Sequence, residues 1–191
     1  KVERFEARPD KAVATPAFFG SFKVLKNHDL SVRAFYKRMF RMPTFNDLYY
    51  TDMGNAFLKP EYAEQFNVGL KYTRNFEKSP FMRMLDVSVD AYYNKITDKI
   101  IAYPKGQQFR WTMLNLGEVE IKGVDAVLNA LFTLGKLEVT TKFQYTYQKT
   151  IDITDPADTY YRDQIPYIPW HSGSAILALF YKGWGLNYSF I

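Results

Sequence analysis

No cysteine occurs anywhere in the 191 residues, so disulfides, thiolate nucleophiles and cysteine-based zinc sites are excluded. Histidine is nearly as scarce, with His28 and His171 as the two copies, and neither has an acid and a nucleophile close by in sequence to make a triad. GxxxxGK[ST], HExxH and GxSxG patterns are also missing. The chain therefore reads as a non-enzyme with no cofactor and no resident metal. Charge is not gathered into blocks: lysine and arginine are scattered and the formal net charge is +5, so nucleic acid is not an expected partner. Ordinary solvated surface charge explains that balance, with anionic lipopolysaccharide or an acidic ligand as the alternative. No apolar run approaches the roughly 18 residues of a spanning helix; Ala175 to Tyr181 is the longest. This excludes a membrane-crossing helix and leaves a membrane-crossing β-barrel open. The opening Lys1-Val2-Glu3-Arg4 carries no apolar secretion segment, so any signal peptide is expected upstream or already removed.

What the chain has in excess is aromatic surface. Phe, Trp and Tyr make up 18% of a sequence that is still 24% charged, a combination suited to membrane interfaces, where a ring can be half dry and half wet. Period-two alternation dominates. From Leu137 to Gln148, Leu137, Val139, Thr141, Phe143, Tyr145 and Tyr147 oppose Glu138, Thr140, Lys142, Gln144, Thr146 and Gln148. That pattern gives a strand with one apolar and one wet face. The same alternation runs through Phe66 to Thr73, Asp86 to Asn94, Val124 to Thr133 and Trp184 to Phe190. Leu30 to Phe40 and Ala175 to Tyr181 follow it less cleanly, with Phe35 and Ile176 on the polar side. Apolar spacing of three and four never persists beyond one turn, so no helix is expected.

Connections alternate in length. Short turns fall at Lys26 to Asp29, Asn75 to Pro80, Gly135-Lys136 and Lys182-Gly183; longer excursions are expected at Arg41 to Pro60, Tyr103 to Arg110 and Ile151 to Pro166. Outer-membrane barrels show this parity, because short turns face the periplasm and long loops face outside. The alternating stretches approach the roughly 9 to 11 residues of a tilted spanning strand. Rings near strand ends, such as Tyr92, Tyr103, Tyr167, Trp170, Tyr181 and Trp184, suit interfacial girdles. The fold class is all-β, an antiparallel transmembrane β-barrel fragment of about seven or eight long strands. Because Ser189-Phe190-Ile191 lies within an alternating strand, the chain is expected to be cut from a larger barrel.

The stretch Phe40-Arg41-Met42-Pro43-Thr44-Phe45-Asn46-Asp47-Leu48-Tyr49-Tyr50, followed by Gly54-Asn55-Ala56-Phe57-Leu58-Lys59-Pro60-Glu61, resembles the most recognisable part of TonB-dependent receptor barrels. There a strand ends in Arg-x-Pro, a loop follows, and Gly-Asn-x-x-Leu-Lys-Pro-Glu opens the next strand. Asn115 to Asp125, with Gly117 and Gly123, is similar to the strand that the family places one hairpin later. The resemblance covers most of the chain from about Leu30. It implies the C-terminal part of a plugged barrel of about 22 strands, without its plug, first strands and last strands, in the outer membrane of a Gram-negative bacterium. Such a receptor binds a small extracellular ligand, a ferric siderophore or similar chelate, a corrinoid or a glycan. It imports that ligand with energy relayed by TonB, whose contact lies in the absent N-terminal region; outer-membrane lipid is the other partner. Asn67 stands where the family usually has an acid two residues before Gly69, and no histidine lies between Arg41 and Leu58, which demotes haem.

Within that frame Arg41, Pro43, Leu48, Gly54, Asn55, Leu58, Pro60, Glu61, Asn115, Gly117 and Gly123 read as structural. Pro43 and Pro60 set where pairing stops and restarts, and Glu61 is expected to pair with Arg41 at the rim. Ligand contact is assigned to Asn46, Tyr49 and Tyr50 in the first loop, Phe109, Arg110 and Trp111 in the second, and Tyr160 and Tyr161 in the third. Interfacial or loop packing is the more ordinary role of such rings. Asp152, Asp155, Asp158 and Asp163 lack the spacing of a calcium loop and read as solvated charge. Arg33, Lys37, Lys71 and Lys142 fall on wet faces and could line a basic lumen. A carbohydrate-binding β-sandwich and a small complete adhesion barrel are the rival readings. The sandwich places Phe143, Tyr145 and Tyr147 in a sealed core, whereas a transmembrane wall turns them outward.

Overall fold

The computed structural model describes residues 12–25, 29–105 and 110–191. Eight strands form one antiparallel sheet in chain order: β1 (Ala17–Lys23), β2 (Asp29–Arg41), β3 (Glu61–Asn75), β4 (Met82–Lys105), β5 (Arg110–Leu134), β6 (Leu137–Asp152), β7 (His171–Tyr181) and β8 (Trp184–Phe190). Every neighbour in sequence is a neighbour in space. Such an up-and-down order lets each strand meet its backbone partners with only a hairpin between them. Gly135 at φ 63°, and Lys182 and Gly183 at φ 45° and 87°, supply the positive dihedrals of the tight turns β5–β6 and β7–β8.

Register carries the alternation across the whole sheet. On one face lie Leu30, Val32, Ala34 and Tyr36 of β2, then Phe66, Val68, Leu70 and Tyr72 of β3, with Leu85 to Tyr93 of β4 and Val124 to Ala130 of β5 continuing the band. Phe143, Tyr145 and Tyr147 of β6 lie on it as well. Among the described residues no second sheet covers that face: Phe143 is 52% exposed, Tyr145 47% and Leu186 63%. The sandwich reading fails on this observation. A band of apolar side chains on many adjacent strands is the surface a bilayer requires, whereas water would penalise it heavily.

The opposite face is polar over most of its height. Arg33 forms a two-armed ion pair with Asp90 across the position of Gly69. A Cβ at Gly69 would run into both the Asp90 carboxylate and the Arg33 guanidinium. Lys71 meets Asp86 at 3.4 Å, and Asp86 also accepts from Thr73 and Asn129. The basic lumen is thus corrected in part, since Arg33 and Lys71 are neutralised by carboxylates on β4.

Two further expectations change. The excursion from Tyr103 to Arg110 is not a long loop: β4 and β5, at 24 and 25 residues, stay paired up to Lys105 and Arg110. Ile100, Ile101 and Tyr103 face Asn115, Leu114 and Thr112, strong strand formers that zip the hairpin well past the ends of β3 and β6. Pro104 is tolerated because it lies near the tip. The expectation of no helix is also overturned, by α1 (Phe45–Tyr49). Thr44 caps it, and Asp47 returns the bond to the Thr44 N–H, completing a capping box. Five residues are too few for helical periodicity to register. The predicted turn at Lys26 to Asp29, including His28, lies largely outside the described residues.

If β5 faces lipid through Leu128, then Leu128→Arg places a charge near mid-band and is expected to destabilise a bilayer-embedded barrel by about 2–4 kcal/mol. Urea unfolding in liposomes checks this; an unshifted transition would contradict the outward assignment.

Candidate functional site

The β4–β5 hairpin stands above the sheet as a post, and two loops are tied to it. On one side the β2–β3 loop is held by β5: Met113 N–H donates to Met53 O at 2.9 Å, and Asn55 Nδ2 donates to Met113 O at 3.0 Å. Asn115 is the main fastener. Its Oδ1 accepts from Lys59 N–H at 2.8 Å, while its Nδ2 donates to Lys59 O at 3.1 Å and Asp98 O at 2.7 Å. Both donors and one acceptor site of the side-chain amide face backbone, which fixes the loop's height against the post.

Arg41 ends β2 by joining both limbs of the same loop. Its guanidinium lies 2.9 Å from Asp47 and 3.5 Å from Glu61, and Glu61 accepts the Ile100 N–H of β4 at 3.1 Å. The Arg41–Glu61 contact was foreseen; Asp47 was not, although its T-x-x-D setting in Thr44 to Asp47 is the sequence sign of a capping box. Gly54 lets the end of α1 close on itself, because a Cβ there would lie 2.7 Å from the backbone nitrogens of Tyr49 and Tyr50. Leu58 is 2% exposed beneath the loop. Burial pushes the Asp47 carboxyl up, but the Thr44 N–H and hydroxyl and the Arg41 guanidinium outweigh it and hold the group below its ordinary value of 3.8.

On the other side of the post the β6–β7 loop turns back over the polar face. Ile153 N–H donates to Glu118 O, and Glu118 N–H donates to Thr154 Oγ1, both at 2.9 Å. Gly117 leaves the room that Thr154 fills. Farther along, Ile165 N–H donates to Thr150 O, Gln164 accepts from Thr150 N–H and donates to Ile168 O. Ile165 is thereby laid on Ala63, Ile96, Val119 and Ile121, the buried cluster of the polar face. Thr150 and Val119 are completely buried there. Apolar residues at wet-face positions of β3, β4 and β5 are explained by this cover.

Between the post and the β6–β7 loop lie two adjoining cavities of about 390 and 410 Å³ that share Ile101, Tyr103, Ile165 and Pro166. One adds Tyr167 and Ile168; the other adds Leu116, Tyr160, Gln164 and the acidic residues Asp152, Asp158 and Asp163. The aspartates also build the loop: Asp152, Asp155 and Asp158 accept from the N–H groups of Thr154, Ala157 and Tyr160. Among the described residues no group of three or more histidines and acids is placed to hold a metal ion. The cavity can grip an amphipathic ligand, with apolar walls for its faces and carboxylates for its donors.

The sequence-derived ligand residues are dispersed. Tyr160 lines the cavity, and Trp111 reaches it indirectly through the Tyr167 ring, 6.0 Å away. Arg110 starts β5 at the tip of the post, and Tyr161 lies beneath the Arg162 guanidinium. Asn46, Tyr49 and Tyr50 belong to α1 and its C-cap, where the Tyr49 ring packs at a tilt against Phe45, 5.1 Å between centroids; none of them lines either cavity. Phe109 lies outside the described residues. Sequence reasoning missed Ile101, Ile165 and Gln164 as cavity walls. His171 donates to or accepts from the Tyr145 hydroxyl at 2.8 Å and packs on Tyr147, which places it in the outward aromatic belt.

The sequence model of one family, TonB dependent receptor-like, beta-barrel, matches residues 2–191. The chain is similar to the vitamin B12 transporter BtuB of Vibrio vulnificus, with 34% identity over 99 residues, 52% of this chain and 14% of that protein. It is also similar to the vitamin B12 transporter BtuB of Photobacterium profundum, with 34% identity over 113 residues, 56% of this chain and 16% of that protein. The matched stretches thus span about one-sixth or less of those relatives' lengths.

A carboxyl whose value is lowered by folding stabilises the fold above its ordinary value and loses that contribution as pH falls through the lowered one. Acidification below about 4 is therefore expected to release α1 from Arg41 and Thr44. Protection from amide exchange at Leu48, Gly54 and Asn55, relative to the unstructured chain at the same pH, should fall across that window in the native protein. In Asp47→Asn the protection should be low throughout and not change with pH there; an equal acid-induced loss in both would remove Asp47 as the cause.

Proposed function

Because the chain belongs to the TonB-dependent receptor-like β-barrel family, whose members are proteins of the outer membrane, we propose that it forms part of the wall and extracellular rim of a corrinoid importer. In this reading the segment belongs to the C-terminal portion of a larger plugged barrel, and TonB, acting through the plug, supplies the energy for import. The cavity between the β4–β5 post and the β6–β7 loop carries the ligand assignment. Its walls are Ile101, Tyr103, Ile165 and Pro166, and its polar side is acidic through Asp152, Asp158 and Asp163. A corrinoid offers a broad, largely apolar ring edged with amide donors, which matches that division of surface. An anionic ferric chelate would meet carboxylates where it needs cations. The naming of both relatives as vitamin B12 transporters supports the same ligand class.

Two features support the larger barrel. Among the described residues β1 and β8 are the edges of the sheet and do not pair with each other, and strand edges cannot be left open to hydrocarbon. On the polar face the Asp125 Oδ1 is buried with no hydrogen-bond partner among the described residues. A buried carboxylate oxygen in that state calls for a donor, which a plug inside the lumen supplies.

The reading is tested by equilibrium binding to the complete barrel in detergent with cyanocobalamin, a ferric siderophore and an oligosaccharide. Cyanocobalamin is expected to bind, and Tyr103→Ala and Tyr160→Ala are each expected to weaken it about tenfold, as for aromatic anchors in a desolvated site. Binding of the chelate or glycan in its place, or indifference to both substitutions, would overturn the assignment.

A further inference from the structure

One row of residues crosses the outward face at the upper limit of its apolar band. Phe18, Tyr36, Phe66 and Tyr93 follow one another on β1 to β4, with ring centroids 6.3, 4.8 and 6.3 Å apart. The next two places in the row are Lys122 on β5 and Lys149 on β6, directly opposed in the ladder. Two like charges facing each other on one sheet face repel. The sequence could have relieved this with an acid at either place and does not.

Nearby carboxylates are engaged elsewhere. Glu118 is 2.8 Å from Lys95, and Glu120 is shared between Lys122 at 2.8 Å and the Tyr93 hydroxyl at 3.2 Å. Glu64 opposes Lys95 in the ladder, so Lys95 and Lys122 each have a carboxylate beside them, and among the described residues Lys149 has no ion pair. Its Nζ lies instead 5.7 Å from the centre of the Trp170 ring. Just below the lysines is an open apolar groove of about 470 Å³, lined by Phe66, Val68, Ala91, Tyr93, Val124 and Tyr147, with Lys122 at its rim. Small Ala91 and the flat sheet form its floor, and rings form its sides.

We propose that Lys122 and Lys149 bind the phosphate of an outer-leaflet lipid, with one of its acyl chains lying in the groove over Ala91 and Val124. This rests on the membrane-wall reading, since only that reading brings lipid to this face. The phosphate supplies the anion that Lys149 lacks and shares Lys122 with Glu120, at the depth where headgroups meet the hydrocarbon. Trp170 and Tyr147 border the site as interfacial rings. The occupant is a phosphorylated lipid rather than a soluble anion, because the cationic end and the chain-sized groove are continuous through Lys122.

The test is native mass spectrometry of the complete barrel in detergent, titrated with lipid A and with its dephosphorylated form, for the native protein, Lys122→Gln/Lys149→Gln and Lys95→Gln. Lipid A is expected to bind the native protein, and the double variant is expected to bind it roughly thirtyfold more weakly. Lys95→Gln, whose partner is Glu118, should change binding less than threefold. Removing the phosphates should weaken binding to the native protein as much as the double substitution does. Equal affinity of native and double-variant protein for lipid A, or of the native protein for both lipids, would overturn the proposal. Reconstitution of the same proteins into nanodiscs separates the two claims. Normal insertion with no phosphate preference rejects only the lipid site, whereas failure of all the proteins to insert rejects the membrane wall and the site together.

Discussion

A backbone that meets hydrocarbon on one side must satisfy every N–H and C=O sideways, because lipid offers no partner. The entire sheet answers that demand. Strands β1 to β8 pair in chain order, so the described backbone in the interior of the sheet is turned toward a neighbouring strand rather than toward the bilayer. The side chains are then free to sort by face, and they do so with little regard for a compact core: among the described residues the buried hydrophobic ones are few, and apart from Ala130 they gather toward one end. Stability in such a wall comes from the ladder and from lipid packing against Val68, Leu70, Val89 and Leu128.

The polar face obeys a different rule. Charges there are matched across strands, with Arg33 on Asp90 and Lys71 on Asp86, so the wall presents a nearly neutral, hydrogen-bonding surface to whatever fills the barrel. Gly69 is the residue that makes the first pair possible, since any side chain would separate β2 from β4. Higher up, the same face turns apolar at Ala63, Ile96, Val119 and Ile121, and the β6–β7 loop covers it with Ile165. The change in polarity along one face marks where water gives way to a folded loop.

At the outer end the recognisable family residues contact one another and the backbone of neighbouring loops. Arg41, Asp47, Gly54, Asn55, Glu61, Asn115 and Gly117 do not gather round a cavity; they fasten two loops to the β4–β5 post. Fixing loop positions in this way leaves the Tyr103 and Tyr160 side chains, which line the cavity, outside the frame, whereas Ile165 both lines the cavity and covers the buried cluster. Attachment and lining are thereby assigned largely to different residues.

Period-two alternation is a local property, so the sequence alone sufficed for the all-β class, the outward face of Phe143, Tyr145 and Tyr147, and the tight turns at Gly135-Lys136 and Lys182-Gly183. The pairing of Arg41 with Glu61 was legible too, through the family resemblance. What the sequence could not reveal depends on partners distant in the chain. Tyr103 to Arg110 read as a long excursion because nothing local announces that Ile100 and Ile101 will zip against Asn115 and Leu114. Asp47 was given no role by the sequence, and it acquires one only where Arg41 and Thr44 close round it. Ile96, Val119 and Ile121 interrupted a wet face for no local reason, and only the return of Ile165 over them, held by Thr150 and Gln164, decided that these positions are dry, because burial belongs to the assembled surfaces and not to any one strand.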